Sequence, residues 1–311
     1  MRSGDGMELS VVIPCRGHAD SLAACLGSVV AQQTSRVFEV IVVDSATDET
    51  VAAVVRRFEG VKLVRSTEPL LPGPARNLGV RHARGRYVAF LDADCIADSG
   101  WLAAAYDRLQ DDHVRMVGGP VTDLLPGSWI ASADNLLQFV DLPRSRSPEA
   151  ARHFPSCNMA MRTADFIALG GFSDAQHVAG EDILFCEAAL ARWERGLFFE
   201  PSMAIRHAGR RTWREYLGHH FGFGYCRAVR RLHVRAAHLA WGRHAMMIPI
   251  VTLKRLAYLV RGAWRYHGRE RWRIFLLLPI AFPGAWYSAL GFRRGCRELA
   301  QGAGAAESRV A

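Results

Sequence analysis

Two acidic residues separated by one alanine are the strongest chemical signal in the 311-residue sequence. Asp92 and Asp94 follow the apolar run Tyr87-Val88-Ala89-Phe90-Leu91, which is typical of a buried strand. Two carboxylates placed directly after a strand can share one divalent cation, and Mg²⁺ and Mn²⁺ prefer such oxygen ligands. A cation held there would neutralise the charge that grows on a departing diphosphate. The pair therefore indicates metal-dependent chemistry on a phosphate-bearing substrate, with an ordinary acidic surface loop as the alternative.

The chain before this pair alternates between apolar strands and helices. Strands are predicted at 9–14, 37–43, 61–65 and 87–91. Helices are predicted at 22–33, from Thr47 or Asp48 to Phe58, and at 75–82. Strands that are apolar throughout predict an α/β fold with a Rossmann-like, mostly parallel sheet that carries helices on both faces. Ligands of such sheets bind outside the carboxyl ends of the strands, where Asp44 and Asp92 both lie. No GxGxxG motif follows the first strand, which argues against a dinucleotide-dependent dehydrogenase.

An ordered series of motifs surrounds the two aspartates. It comprises Val11-Val12-Ile13-Pro14, Val42-Val43-Asp44, Gly73-Pro74-Ala75-Arg76-Asn77, Phe90-Leu91-Asp92-Ala93-Asp94, Asn158-Met159-Ala160-Met161-Arg162, Gly170-Gly171-Phe172, Gly180-Glu181-Asp182, Pro201 and His207. The series resembles the inverting family 2 glycosyltransferases of the GT-A fold. The resemblance covers about residues 8–207, and the whole set is far more specific than any single motif.

The resemblance implies a nucleotide-binding role for several residues. Pro14 and Arg16 are expected on the first nucleotide-binding turn, and Asp44 is expected to contact the base. Arg76 resembles the arginine that helps to hold the base or the phosphates, although a simple ion pair with an acid would also explain it. Asp92 is expected to face both the ribose and the metal.

The resemblance also implies a metal site and a catalytic base. Asp94 would be a direct ligand of Mn²⁺ or Mg²⁺, and His207 a further contact to the metal or the diphosphate. Asp182 resembles the base. Displacement at an anomeric carbon with inversion needs a base that the metal does not neutralise. A helix start at Glu181-Asp182 suits a carboxylate, and helix capping is the alternative explanation for that pair.

The substrates follow from the same resemblance. The expected donor is a nucleoside-diphosphate sugar, with a UDP-sugar favoured, and the expected acceptor is a hydroxyl group on a lipid-linked or cell-envelope precursor. Arg210-Arg211-Thr212-Trp213 stands where processive polysaccharide synthases carry a full Gln-x-x-Arg-Trp motif. This departure favours transfer of a single sugar.

The charge of the chain is unevenly distributed. Residues 1–204 contain 19 Lys and Arg against 26 Asp and Glu, whereas residues 205–311 contain 20 against 4, so the net charges are −7 and +16. We therefore predict a catalytic domain at 1–207 and a basic helical region at 208–311. The basic region also holds the tryptophans Trp213, Trp241, Trp264, Trp272 and Trp286. Arginine with tryptophan suits an anionic membrane surface. Nucleic-acid recognition motifs are absent from the sequence, and a solvated basic face is the alternative.

One uncharged run interrupts the basic region. Ile274–Phe292 spans 19 residues, contains Pro279 and Pro283, and has arginines on both flanks. The length would just cross a bilayer, but two basic flanks favour a bent hairpin or an in-plane segment. A buried hairpin of a soluble domain is the alternative. The seven cysteines form no CxxC pair, which indicates a reducing compartment. These features together predict a peripheral or monotopic protein at the cytoplasmic face of the membrane.

Two other functional classes stay open. A catalytically silent relative would bind a nucleotide sugar or act as a scaffold at the membrane, and the presence of Asp92, Asp94, Asp182 and His207 together counts against it. A nucleotidyltransferase also combines a parallel sheet with metal-bound carboxylates, but it would be expected to have a first turn rich in glycine and lysine. Here that turn reads Cys15-Arg16-Gly17.

Overall fold

The computed structural model describes residues 6–17, 19–45, 48–173, 180–232 and 241–307. These residues form two compact units. The first unit covers the described residues of 1–124, 144–176 and 181–208, and the second covers those of 125–143, 177–180 and 209–311.

An eight-stranded sheet forms the centre of the first unit. Its order is β3-β2-β1-β4-β9-β6-β10-β8, and a second, three-stranded sheet has the order β5-β11-β7. The strands are β1 (Leu9–Cys15), β2 (Phe38–Asp44), β3 (Val61–Arg65), β4 (Tyr87–Leu91), β5 (Cys95–Ala97), β6 (Met116–Gly118), β7 (Val121–Asp123), β8 (Glu149–Ala150), β9 (Asn158–Arg162), β10 (Leu197–Phe199) and β11 (Ile205–His207). Strands β1 to β4 pair in parallel, and β9 joins them antiparallel to β4. The predicted α/β class with a mostly parallel sheet is confirmed.

Six helices accompany these sheets. They are α1 (Ala19–Val30), α2 (Thr50–Val55), α3 (Pro72–Arg81), α4 (Trp101–Arg108), α6 (Thr163–Ala168) and α7 (Glu181–Arg192). Helix α3 begins three residues before its predicted start, because Pro72 occupies the first turn, where proline's missing N–H costs nothing. A Cβ at Gly79 would lie 2.3 Å from a methyl carbon of Val12, so this glycine lets α3 pack tightly against β1.

The second unit is helical. It contains α5 (Trp129–Phe139), α8 (Trp213–Leu232), α9 (Met247–Tyr266), a 3₁₀ turn at Gly268–Glu270, and α10 (Arg271–Glu307). Its core packs apolar side chains from α5, α8, α9 and α10, including Leu137, Tyr216, Leu259 and Ala281. Helices α8 and α10 approach closely, since a Cβ at Gly291 would lie 1.9 Å from the carbonyl oxygen of Phe221.

The uncharged run does not form a hairpin. Ile274–Phe292 lies inside the single helix α10, with Pro279 and Pro283 within it. The expectation of a bent or buried hairpin is therefore wrong. The stretch Gly268–Ala300 is long and apolar enough to cross a membrane, but 39% of its apolar window is buried in the protein. By length and composition alone this is weak evidence for a membrane span, because a core helix of a soluble protein passes the same test.

Candidate active site

Three of the residues predicted to bind the nucleotide, Pro14, Arg16 and Asp44, lie at the ends of the neighbouring strands β1 and β2. Asp44 ends β2 and is in register with Cys15 at the end of β1 and with Arg65 at the end of β3. Its side chain is fully buried, and its Oδ2 atom lies 3.6 Å from Nε of Arg65. Pro14 is half-buried in β1, whereas Arg16 is exposed just after it. Sequence reasoning missed Arg65, because only the strand register places it beside Asp44.

A buried arginine joins two acidic side chains of this unit. Arg76, on α3, is 1% exposed; its Nη2 donates to Asp92 Oδ1, and its Nη1 donates to Glu181 Oε1 over 3.2 Å. Burial acts to lower the pKa of the Arg76 guanidinium, but Asp92 and Glu181 outweigh it and raise the pKa overall. The bridge ties the loop after β4 to the first turn of α7. Arg76 therefore contacts carboxylates in this structure, and a contact with the donor's base or phosphates remains a prediction.

The two acids at the start of α7 lie in different surroundings. Burial and the neighbouring Asp182 raise the pKa of Glu181 to about 7, against the opposing effect of Arg76. Asp182 instead accepts hydrogen bonds from the backbone N–H groups of Ser156, over 3.3 Å, and Ile183, over 2.8 Å. Among the described residues Asp182 makes no ion pair. The sequence placed both acids at a helix start, but it gave no signal that Glu181 would bind Arg76.

Asp94 and His207 come together although 113 positions separate them. Strand β11 pairs with β5, which places His207 opposite Cys95, and Nε2 of His207 lies 3.6 Å from Asp94 Oδ2. The donor atoms of these three side chains lie within 4.8 Å of one another. The side chain of Asp94 is 23% exposed, so the group is accessible to a ligand.

The donor set fits a hard divalent cation. Carboxylate oxygens suit Mn²⁺ and Mg²⁺, and imidazole is a common ligand of divalent transition metals, whereas a thiolate prefers softer ions. Burial also raises the pKa of the Cys95 thiol well above its ordinary value. Asp94 and His207 are therefore the residues that would hold the ion. Asp92 is not part of this group, and its Oδ1 atom accepts a hydrogen bond from Arg76. The structure thus brings together two of the three predicted ligands, Asp94 and His207, and the metal-binding role of all three remains a prediction.

The sequence is similar to known glycosyltransferases. A family model described as "Glycosyl transferase family 2" matches residues 10–167. The pre-mycofactocin glycosyltransferase of Mycobacterium tuberculosis (strain ATCC 25618 / H37Rv) is 26% identical over 314 residues. That match covers 91% of this chain and 63% of the relative, so the chain spans less than two thirds of the relative's length.

Solved structures of similar fold include a mannosyltransferase and TarS, each in complex with a nucleotide sugar. The mannosyltransferase PcManGT from Pyrobaculum calidifontis, in complex with GDP-Man and Mn²⁺, has a TM-score of 0.60 at 20% identity and covers 92% of this chain and 86% of its own. TarS 1–349 of S. aureus, in complex with UDP-GlcNAc, has a TM-score of 0.52 at 18% identity, with coverages of 93% and 92%. These likenesses confirm the GT-A fold. Because the family model spans half of the chain, the protein belongs to glycosyl transferase family 2.

Proposed function

We propose that this protein transfers a single sugar from a nucleoside-diphosphate sugar to a hydroxyl acceptor, with inversion at the anomeric carbon. The observation that carries the proposal is the pairing of Asp94 with His207 next to the strand ends that hold Asp44 and Asp92. The relative from Mycobacterium tuberculosis is named a glycosyltransferase, and the two similar structures contain GDP-Man with Mn²⁺ and UDP-GlcNAc. We favour a UDP-sugar as donor, with Mn²⁺ or Mg²⁺ as the ion.

The nucleoside, the ribose and the diphosphate of the donor each have proposed contacts. Pro14, Arg16 and Asp44 bind the nucleoside, and Arg76 holds Asp92 towards the ribose and the metal. Asp94 and His207 hold the ion, which supplies positive charge against the leaving diphosphate when it is bound. Arg65, beside Asp44, adds a further positive charge at the nucleoside end of the site.

The reaction is a single displacement. The acceptor oxygen forms a bond to the anomeric carbon while the bond from that carbon to the diphosphate oxygen breaks, and the bonding electrons leave with the nucleoside diphosphate. Asp182 takes the proton of the acceptor hydroxyl. Two backbone N–H groups fix its carboxylate, and among the described residues no cation neutralises it. Glu181 is less suited to this step, because Arg76 already engages its carboxylate.

The proposed acceptor is lipid-linked or a cell-envelope precursor, reached from the cytoplasmic face of the membrane. Support comes from the second unit, where α9 and α10 carry exposed apolar side chains such as Leu253, Trp264, Trp272 and Leu276. Arginines accompany them, and the guanidinium of Arg271 lies 4.3 Å from the ring centre of Trp264. Exposed tryptophan beside arginine suits the interface of an anionic bilayer.

A donor panel tests the proposed activity. Purified protein is incubated with Mn²⁺ and separate nucleotide sugars, and the release of nucleoside diphosphate is measured with and without membrane lipid extract. Release from one or a few donors, stimulated by the extract, is the expected result. Tight donor binding without any release under these conditions would instead identify a catalytically silent nucleotide-sugar binder.

A further inference from the structure

A second cluster of metal-binding side chains lies inside the helical unit. Asp134, on α5, is fully buried, and two adjacent residues of α8, His219 and His220, point at it. His219 Nδ1 lies 3.2 Å from Asp134 Oδ1, and His220 Nε2 lies 3.0 Å from the same oxygen. The three donor atoms lie within 4.8 Å of one another. Two imidazole nitrogens therefore converge on one carboxylate oxygen.

The other oxygen of this carboxylate is held from outside the cluster. Asp134 Oδ2 accepts a hydrogen bond from the backbone N–H of Arg210 over 2.9 Å, and the Arg210 guanidinium lies 3.9 Å from it. Partners of this kind fix the orientation of a carboxylate whose second oxygen binds a metal. The backbone bond leaves Oδ1 facing the two imidazoles.

In the part of the chain that the structure describes, the ring nitrogens of His220 are buried without a hydrogen-bond partner, although one of them lies close to Asp134. Its side chain is 0% exposed, and among the described residues neither ring nitrogen has a hydrogen-bond partner of acceptable geometry. Nε2 is near enough to Asp134 Oδ1 for a hydrogen bond, but the angle is unsuitable. A buried polar atom without a partner is destabilising and calls for a bound water or ion. A shared ion accounts for this arrangement, because metal ligands lie near one another while their lone pairs aim at the metal.

We propose that Asp134, His219 and His220 bind one divalent transition-metal ion of the zinc class. Ligands of a tetrahedral Zn²⁺ ion lie about 3.3 Å apart, given metal–ligand bonds of about 2.0–2.2 Å. The observed 3.0 and 3.2 Å separations are close to that value. Imidazole and carboxylate ligands suit Zn²⁺, and a fourth position remains for water. The side chain of His219 is 17% exposed, which gives the ion access from solvent. Bound there, the ion crosslinks α5 to α8.

Metal counting tests the proposal in a background that lacks the other candidate site. The Asp94→Ala protein is stripped with chelator, exposed to Zn²⁺, passed through gel filtration and analysed by mass spectrometry for bound metal. We expect one equivalent of Zn²⁺ and a higher melting temperature than in the stripped protein. Adding His219→Phe should abolish both the bound Zn²⁺ and the rise in melting temperature, because phenylalanine removes the nitrogen ligand. It keeps an aromatic ring at the position where the centre of the His219 ring lies 4.1 Å from that of Phe223.

Two comparisons make the result decisive. Adding His244→Phe, at an exposed histidine of the same unit, should leave the bound equivalent unchanged. Circular dichroism shows whether His219→Phe leaves the protein folded. If it does not, the test is instead the absorption spectrum of the Asp94→Ala protein loaded with Co²⁺, in which we expect the bands of a nitrogen-ligated Co²⁺ ion. No bound Zn²⁺ in Asp94→Ala, an unchanged equivalent after His219→Phe, or no such Co²⁺ bands would overturn the proposal.

Discussion

The two units of this protein surround their aspartate–histidine clusters differently. In the first unit, Asp94 lies beyond a strand end with a side chain that is 23% exposed, and it meets His207 across a short sheet. In the second, Asp134 and His220 are 0% exposed between helices. Both clusters leave a position open, since the helical one would hold its ion with three side chains and a water. They differ in their surroundings, because Asp94 and His207 lie beside the strand ends that carry Asp44 and Asp92, whereas Asp134 and His219 join α5 to α8. We therefore infer that substrate chemistry belongs to the sheet unit and that an ion in the helical cluster serves stability.

The largest effect of a mutation outside the metal ligands is expected at Asp182. Asp182→Asn preserves the shape of the side chain and an oxygen acceptor for the backbone N–H of Ile183, but an amide cannot take the acceptor's proton. Turnover should fall by about 10²–10⁴-fold, while donor affinity measured by calorimetry stays near that of the wild type. Turnover within a few-fold of the wild type would remove Asp182 from the role of base.

An effect of intermediate size is expected on the pH dependence of stability, through the carboxyl group of Glu181. Its pKa is raised from 4.5 to about 7 in the folded protein, so between these values the folded state binds more protons than the unfolded state. This carboxyl therefore makes the free energy of unfolding fall as pH rises from about 4.5 to 7, by on the order of 2 kcal/mol. Urea denaturation at pH 5 and pH 7 measures the difference.

Glu181→Gln provides the matched comparison for that titration. The amide keeps an oxygen that accepts from Arg76 but has no proton to lose. The fall in stability between pH 5 and pH 7 should be smaller in the variant than in the wild type. Equal pH dependence in both proteins would show that Glu181 does not titrate in this range.

The smallest effect is expected on the membrane contact of the helical unit. Trp272, in α10, is 56% exposed, and Trp272→Ala should weaken binding to anionic vesicles by about 1 kcal/mol, or roughly fivefold, through lost apolar burial. Trp129→Ala is the control, since Trp129 is similarly exposed, at 57%, but belongs to α5 and not to α9 or α10. Vesicle flotation measures both variants. Equal weakening would show that the α9–α10 surface has no special part in binding.

Much of the sheet unit could be predicted from local sequence. Strands β3 and β4 match their predicted bounds, because continuous β-branched and apolar runs identify buried strands. The predicted strands also placed Asp44 at the end of β2 and Asp92 directly after β4, where the structure has them. The start of α3 was less accurate, because Pro72-Gly73-Pro74 suggests a break, although proline at a helix start is favourable.

The partners of the site residues could not be predicted in this way. Arg76 meets Glu181, 105 positions away, and Asp134 meets His219, 85 positions away. Such pairs depend on helix packing and side-chain rotamers, which periodicity does not encode. The continuous helix α10 was missed for a related reason. Its two prolines suggested a bend, but the packing of α8 and α5 against it supports one unbroken helix.

The measurement that tests the account most directly is the Mn²⁺ dependence of sugar transfer in Asp94→Ala. Nucleoside diphosphate release is followed against Mn²⁺ concentration for the wild type, Asp94→Ala and the exposed control Asp107→Ala. We predict that the wild type and Asp107→Ala respond alike to Mn²⁺. Asp94→Ala should stay folded but lose at least about 10³-fold in Mn²⁺-stimulated turnover, since several kcal/mol of charge stabilisation are removed. An Asp94→Ala enzyme that Mn²⁺ stimulates as strongly as the wild type would contradict this prediction.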